Sequence, residues 1–299
     1  MPHVNANGLS IYYESHGPES AEPILLIMGL GAQMTRWSPS LIEALVGAGH
    51  RVIAFDNRDV GLSEKLEAAG APKIGEVVQA IREKRQPPVA YTLQEMAADA
   101  AGLLDALGVS RAHIVGASMG GMIAQLVAAD HADKTLSLTS IMSSTGNPDL
   151  PRATPEAMAR LNTPAPDPNK DLEAFLASAV EGAKVMSSKY PPDADQVRAQ
   201  SLADFKRSYY PVGFQRQYAA VMASPDRRPK LAKITAPTVV IHGADDPLVP
   251  LAGGEDTAAN IPGAELIVVP GVGHEMPKPV EGEFVAGILK AVSRAKVGA

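Results

Sequence analysis

The sequence predicts an α/β fold in which helices cover both faces of a mostly parallel central sheet. Short aliphatic or β-branched runs that end in Gly, Asp or Ser alternate with stretches whose apolar residues recur every three or four positions. Strands buried on both faces show such uniform apolar runs, whereas amphipathic helices show the three-four spacing. The length of 299 residues suits one large domain, or a core domain with an inserted subdomain.

The predicted elements follow one another from the amino terminus. Asn7 and Gly8 form a hairpin-turn pattern between two β-like runs. The apolar runs predict strands at 24–28, 52–55, 113–117, 136–142, 238–242 and 266–269. The periodic stretches predict helices at 39–46, 93–107 and 119–130. Thr92 and Glu95 form a capping box for the second of these helices, and Gly108 ends it.

The alternation of strands and helices stops between residues 143 and 230. This segment is rich in proline and contains several helix patterns but no strand pattern, and the alternation resumes after it. We therefore predict a helical lid at 143–230, inserted into a core domain formed by residues 1–142 and 231–299. A separate helical domain is the less favoured alternative, because the sheet continues on both sides. A shorter insertion at 65–88 has no assigned role.

The composition excludes several classes of protein. Hydrophobic residues make up 45% of the chain and charged residues 20%, and the net charge of −6 is spread along the chain. Nucleic-acid binding is disfavoured because it needs a clustered basic face, and no apolar run is long enough to span a bilayer. Without cysteine, disulfides, thiolate metal sites and a cysteine nucleophile are excluded. The amino-terminal residues lack a signal pattern, so we expect a cytoplasmic protein.

Ser118 is the candidate nucleophile. It stands between Gly116 and Gly120 in a Gly-x-Ser-x-Gly motif, after the strand at 113–117 and at the start of the helix at 119–130. The motif alone is weak, but a strand–turn–helix setting is typical of a nucleophile elbow. Side chains two residues before and after the serine would collide in so tight a turn, which explains both glycines. The alternative is a helix N-cap serine beside packing glycines.

His274 is the candidate general base, because a serine hydroxyl needs a base within hydrogen-bond reach. It follows the last predicted strand, in a loop kept tight by Gly271 and Gly273. His113 lies within a predicted strand and His242 ends another, so both are interpreted as structural. The remaining histidines are interpreted as surface or turn residues: His3, His16, His50 and His131.

The orienting acid is Asp245 or Asp246, which both follow the strand predicted at 238–242. Pro247 restricts the residue before it to an extended geometry, which favours Asp246 as the rigidly held carboxylate. Asp245 is then interpreted as a turn residue that binds nearby backbone N–H groups. The order Ser–Asp–His, with each residue at a strand end, is one of the orders found among serine hydrolases.

Five segments of the chain resemble the α/β-hydrolase family, and they are distributed over nearly its full length: LLIMGLG, VIAFDNRDVGLS, HIVGASMGG, PTVVIHGADDPLVP and IPGAELIVVPGVGH. Within that family the chain is most similar to bacterial esterases of the aclacinomycin methylesterase type. The resemblance implies the α/β-hydrolase fold and a catalytic triad of Ser118, Asp246 and His274. It supports Asp246, because the family's acid follows the strand-ending glycine (here Gly243) by three residues and precedes a proline (here Pro250) by four.

The oxyanion hole is also implied by the resemblance. Family members usually have His-Gly after the first core strand, where this chain has Met28-Gly29, and the donor maps to the N–H of Leu30. The second donor is the N–H of Met119, directly after the nucleophile. The alternative is a glycine turn without a catalytic part. DNRDVGLS resembles a largely structural loop of the family, with Asp59 where glycine is usual.

The predicted activity is hydrolysis of small-molecule carboxylic esters through an acyl-enzyme on Ser118. The same residues would support hydrolysis of lactones or carbon–carbon bonds, or perhydrolysis, and a slow-turnover ligand receptor is an alternative from another class. Tyr210 and Phe214 are candidate substrate-binding residues in the lid, unless they only pack its helices together. We expect no cofactor, no metal, no nucleic-acid or membrane partner, and a monomer or homodimer.

Overall fold

The computed structural model describes residues 2–297, and its described strands form one eight-stranded sheet. The strands are β1 (His3–Ala6), β2 (Leu9–His16), β3 (Pro23–Ile27), β4 (Arg51–Phe55), β5 (Ala112–Ala117), β6 (Thr135–Ile141), β7 (Thr238–Gly243) and β8 (Glu265–Val269). Their order across the sheet is β1-β2-β4-β3-β5-β6-β7-β8. β2 is antiparallel to both its neighbours, and all other neighbouring strands are parallel. The predicted mostly parallel sheet is therefore confirmed.

Helices cover both faces of this sheet. They are α1 (Pro39–Gly47), α2 (Ile74–Arg82), α3 (Leu93–Ala106), α4 (Met119–Asp130), α5 (Pro155–Asn162), α6 (Leu172–Met186), α7 (Ala194–Arg207), α8 (Pro211–Met222), α9 (Arg228–Leu231), α10 (Leu251–Asn260) and α11 (Glu281–Val297). Ile24 and Leu26 of β3 pack with α1 and α11, whereas Leu25 and Ile27 pack with α3 and α4. This alternation follows from strand geometry, which sends successive side chains to opposite faces. None of the described helices is both long and apolar enough to cross a membrane.

Local sequence explains several turns and helix ends. Asn7 and Gly8 have φ values of 51° and 81° in the turn between β1 and β2, as the hairpin prediction requires. Thr92 and Glu95 form the predicted capping box at the start of α3. Gly108 has a φ of 67° just after the end of that helix, in the left-handed region that favours glycine.

The segment between β6 and β7 contains helices α5 to α9, and its described residues include no strand. Three of its aromatic rings, those of Phe175, Phe205 and Tyr209, pack against one another with centroids 5.6 to 6.2 Å apart. These contacts join α6 to α7 and to the start of α8, and they stabilise the helices of this segment against each other.

The carboxyl ends of the parallel strands meet at one edge of the sheet. The loops that follow β3, β5, β7 and β8 at this edge carry Leu30, Ser118, Asp246 and His274, respectively. In open α/β sheets this edge is where ligand sites are found. The topology therefore gathers residues that are far apart in the chain.

Candidate active site

Ser118 occupies the turn between β5 and α4, where its backbone has a φ of 56° and a ψ of −121°. Residues other than glycine rarely adopt a positive φ, so the surrounding structure must hold this strained turn. A Cβ on Gly116 would lie 2.0 Å from the carbonyl oxygen of Gly120, and a Cβ on Gly120 would lie 2.0 Å from that of Ile27. Both glycines are therefore required. The prediction that side chains within the turn would collide with each other is wrong for Gly120, where a side chain would instead collide with β3.

Three polar side chains form a continuous set of contacts at this turn. Nε2 of His274 lies 2.9 Å from Oγ of Ser118, and its Nδ1 lies 2.8 Å from Oδ2 of Asp246. The Asp246 side chain is buried, whereas Ser118 and His274 are partly exposed. The other carboxylate oxygen of Asp246 accepts hydrogen bonds from the N–H groups of Leu248 and Val249. The loop thus fixes the carboxylate, which in turn orients the imidazole.

The neighbouring acid points away from the imidazole. Asp245 is exposed and accepts a hydrogen bond of 3.0 Å from the Ser188 hydroxyl. The prediction that Asp245 binds backbone N–H groups is wrong, since Asp246 makes those bonds. His242 is buried beside Asp246, with Nε2 2.7 Å from the carbonyl oxygen of Val249. Burial lowers the pKa of His242 and so favours its neutral form, which agrees with the predicted structural role of this residue.

The loop after β3 lies against the serine. A Cβ on Gly29 would be 3.1 Å from the Cβ of Ser118. Within the described part of the chain, the N–H groups of Leu30 and Met119 donate no backbone hydrogen bond outside helices and strands. Met119 opens α4, where an N–H has no acceptor within the helix. Leu30 directly follows Gly29, and Met119 directly follows Ser118, so both predicted donors belong to residues adjacent to this contact.

Comparison with known proteins agrees with the observed fold. Residues 22–277 match the family described as the alpha/beta hydrolase fold. The chain belongs to the α/β-hydrolase family. Rhodomycin D methylesterase of Streptomyces peucetius is 27% identical to it over 314 residues, covering 98% of each chain. 3-Oxoadipate enol-lactonase 1 of Acinetobacter baylyi is 28% identical over 257 residues, covering 84% of this chain and 82% of the lactonase.

A solved structure of the meta-cleavage product hydrolase from Pseudomonas fluorescens superimposes on this α/β hydrolase with a TM-score of 0.74. The match covers 99% of this chain and 98% of the other, at 19% sequence identity. At that identity the likeness shows the fold alone. It confirms the α/β-hydrolase architecture predicted from the sequence.

The helical segment between β6 and β7 of this α/β hydrolase contacts two loops of the site, the one that carries His274 and the one that carries Leu30. The N–H of His274 donates to the carbonyl oxygen of Met186, at the end of α6, over 2.7 Å. On the other side, Phe214 of α8 packs so closely on Gly31 that a Cβ there would lie 2.5 Å from its ring. Gln217, also on α8, accepts a 2.8 Å hydrogen bond from the N–H of Gly31. No local sequence pattern points to Gln217.

The two predicted substrate-binding residues lie in different surroundings. Phe214 packs on the loop that carries Leu30, as described above. Tyr210 accepts a 2.9 Å hydrogen bond from Arg216, which also donates two bonds to the buried carboxylate of Asp59. Burial by itself raises the pKa of Asp59. The hydrogen bonds that this carboxylate accepts from Arg216 and from other donors outweigh burial, so the pKa of Asp59 is lowered. The Tyr210 hydroxyl thus belongs to a polar cluster that joins α8 to the core.

Two further histidines lie at the opposite edge of the sheet. His113 is fully buried, as expected for a structural residue, with Nδ1 2.8 Å from the Ser137 hydroxyl. The sequence predicts His50 at the surface or in a turn, and this residue directly follows the turn at residues 48–49 but is not at the surface. Its exposed fraction is 4%, because its ring packs edge-on against His113, with centroids 5.8 Å apart.

Proposed function

We propose that this α/β hydrolase cleaves carboxylic esters of small molecules through an acyl-enzyme on Ser118. The observation that carries the proposal is the chain of contacts from Ser118 Oγ to His274 Nε2, at 2.9 Å, and from His274 Nδ1 to Asp246, at 2.8 Å. A serine hydroxyl becomes a good nucleophile when a base within this distance takes its proton. The likeness to a methylesterase over 98% of both chains supports an ester as the substrate.

Each side chain has a defined task in the proposed reaction. Oγ of Ser118 attacks the acyl carbon while Nε2 of His274 takes the hydroxyl proton, and Asp246 stabilises the resulting imidazolium. The N–H groups of Leu30 and Met119 bind the oxyanion, and each such donor contributes about 3–4 kcal/mol to the transition state. His274 then protonates the leaving alcohol. A water molecule that gives a proton to His274 attacks the acyl-enzyme, and His274 passes that proton to Oγ of Ser118 as the acid is released.

We propose in addition that residues 143–230 form a lid that sets the size of the substrate. Support comes from the contacts of this segment with two loops of the site. Met186 contacts the loop that carries His274, and Phe214 and Gln217 contact the loop that carries Leu30. A side chain held at the oxyanion loop is well placed to contact the acyl or alcohol group. Phe214 is therefore the stronger candidate for an apolar wall, since Tyr210 is bound to Arg216.

Hydrolysis of lactones is the second candidate activity. A lactone is a cyclic ester, so the same nucleophile, base and oxyanion donors would open it without any change. The 28% identity to an enol-lactonase supports this alternative. Parallel measurement of kcat/KM on p-nitrophenyl esters of increasing acyl length and on lactones of increasing ring size distinguishes the two activities.

Ser118→Ala tests the proposal, because it removes only the hydroxyl. Ester hydrolysis should fall by up to about 10⁶-fold while the circular dichroism spectrum and Tm stay close to those of the wild type. A fluorophosphonate should label the wild-type chain once, at Ser118, and should not label the variant.

Ser188→Ala is the matched control, since Ser188 lies near the site and binds Asp245 but takes no part in the proposed chemistry. It should retain both labelling and turnover. Near wild-type turnover by a contamination-free Ser118→Ala preparation would overturn the mechanism. Rapid labelling combined with very slow turnover of every ester and lactone would instead indicate a ligand receptor.

A further inference from the structure

Three metal-binding side chains meet at the edge of the sheet opposite Ser118. One ring nitrogen of His50, one of His113 and a carboxylate oxygen of Glu22 lie within 4.8 Å of one another. His113 is the second residue of β5, five residues before Ser118. At about 3.3 Å per residue, the cluster lies about 16 Å from the serine. It is therefore separate from the proposed active site.

The sheet fixes the relative positions of these three residues. Glu22 directly precedes β3, His50 directly precedes β4 and His113 lies in β5, and β3 pairs with both of the other strands. Ile24 is the register partner of His113, and the N–H of Arg51 donates to the carbonyl oxygen of Glu22. The sheet therefore holds the three donors close together at the amino ends of three adjacent strands.

Both imidazoles are oriented as they are in metal-binding histidines. Nδ1 of His50 lies 3.1 Å from the carbonyl oxygen of Glu22, and Nδ1 of His113 lies 2.8 Å from the hydroxyl of Ser137. An Nδ1–H that donates to such an oxygen leaves Nε2 with its lone pair available, which is the usual arrangement around a metal ion.

Two of the donor atoms face each other without a hydrogen bond. Nε2 of the fully buried His113 lies 3.0 Å from Oε2 of Glu22, yet within the described residues neither atom makes a hydrogen bond of acceptable geometry. Buried polar atoms are rarely left in this state, and a cation bound by both atoms would satisfy them. Two ligands of a tetrahedral zinc ion lie about 3.3 Å apart, which is close to the observed separation.

We propose that Glu22, His50 and His113 bind a divalent transition-metal ion of the zinc type, with water as a further ligand. Two imidazoles and a carboxylate form a donor set that suits such an ion, and three protein ligands with one water complete a tetrahedron. Sequence patterns predict no metal here, because the three residues are far apart in the chain. The ion would join the amino ends of three adjacent strands and stabilise the core.

Among the described ion pairs, Lys296 is the one residue outside the cluster that pairs with Glu22. Its positive charge opposes the binding of a cation. Its Nζ lies 3.5 Å from Oε2 of Glu22, and 58% of its side chain is exposed. Because it is exposed, the ammonium group is able to turn into water when a metal ion binds. Lys296→Gln should therefore tighten metal binding.

The experiment titrates the full chain, freed of metal with a chelator, first with Co²⁺ and then with Zn²⁺. The wild-type chain should bind one Co²⁺ with a visible d–d absorption, and one equivalent of Zn²⁺ should displace it. Saturating Zn²⁺ should raise Tm by several degrees, because it binds the folded chain. Glu22→Gln is nearly isosteric at a partly exposed position, so it should fold normally while losing at least about 10-fold in affinity. His50→Gln should show the same loss.

Glu14→Gln is the matched control, because Glu14 lies 3.7 Å from His16 but, among the described residues, belongs to no group of three metal-binding side chains. It should bind Co²⁺ and Zn²⁺ as the wild type does. Absence of stoichiometric Co²⁺ binding by the wild-type chain would overturn the proposal, and so would equal affinities of Glu22→Gln and Glu14→Gln. In either case His113 and Glu22 would form a simple side-chain pair.

Discussion

Replacing Gln217 by leucine should slow the proposed ester hydrolysis about 10- to 100-fold through kcat, with KM nearly unchanged. Gln217 is fully buried on α8. Its Oε1 accepts the N–H of Gly31 over 2.8 Å, and its Nε2 donates to the carbonyl oxygen of Arg58 over 2.7 Å. Leu30, the proposed oxyanion donor, directly precedes Gly31. Gln217 is thus a positioning residue that holds the loop in which this donor lies.

The magnitude follows from the two bonds that leucine does not make. Each such bond contributes about 1 kcal/mol, and a buried N–H left without an acceptor costs about 1–3 kcal/mol. Gly31 would therefore turn toward water, and the N–H of Leu30 would turn with it. Complete loss of one oxyanion donor costs about 10²- to 10³-fold in kcat, and a displaced donor should cost part of that. The bound ester uses the donor less than the transition state does, so KM should change little.

The assay measures kcat and KM on one p-nitrophenyl ester for the wild type, Gln217→Leu and the control Tyr218→Phe. Tyr218 is the next residue of α8, and its hydroxyl donates to Asn162 within the helical segment. The control therefore loses a hydrogen bond without disturbing the loop at Gly31. Affinity for a boronic-acid analogue of the transition state should fall with kcat/KM, whereas inhibition by the product acid should not change. An unchanged kcat, or an increase in KM alone, would refute this reasoning.

Three other predictions concern the orienting acid, the lid and pH. Asp246→Asn should lower kcat about 10⁴-fold by favouring the wrong histidine tautomer, whereas Asp245→Asn should change kcat far less. If Asp245→Asn instead lowered kcat more than Asp246→Asn on the same ester, Asp245 would be the acid. Phe214→Ala should change the acyl-length preference in kcat/KM more than Tyr210→Ala does, and equal slowing of every ester would exclude that role. Burial raises the pKa of Glu275 to about 7 from 4.5, so the folded chain keeps a proton that the unfolded chain loses. The contribution of Glu275 to wild-type stability therefore falls between pH 4.5 and 7, and the Tm of Glu275→Gln relative to wild type should rise across that window. An equal Tm difference at pH 5 and pH 8 would contradict this.

The positions of the central strands are predictable because these strands are buried on both faces. Each of the six predicted strands agrees with the structure to within one residue at either end. The helices predicted at 39–46, 93–107 and 119–130 agree equally well, since each has a periodic apolar face and two have a capping serine or threonine. The last helix, α11, is not predicted, although Phe284 and Ile288 stand at the spacing of one buried face.

The candidate site is predictable to the extent that its residues follow strands. Parallel topology brings the ends of β5, β7 and β8 together, so Ser118, Asp246 and His274 are found by their places after these strands. The contacts of Gln217 and the burial of His50 are not predictable in this way. Each depends on a residue distant in the chain, Gly31 in one case and His113 in the other, and no local spacing records such a pairing.

Asp59 shows how a departure from a family pattern reveals one of these distant pairs. Glycine is usual at this position, and a φ of 68° explains why, since this is the left-handed region that glycine tolerates best. Aspartate accepts the strain here because its buried carboxylate receives two hydrogen bonds, of 2.7 and 2.8 Å, from Arg216 of α8. Without that carboxylate, the buried guanidinium would be left without its partner, at a cost of about 3–5 kcal/mol. The unusual residue in the core loop and the arginine of α8 therefore require each other, and together with Gln217 they fix α8 against the loops beside Ser118.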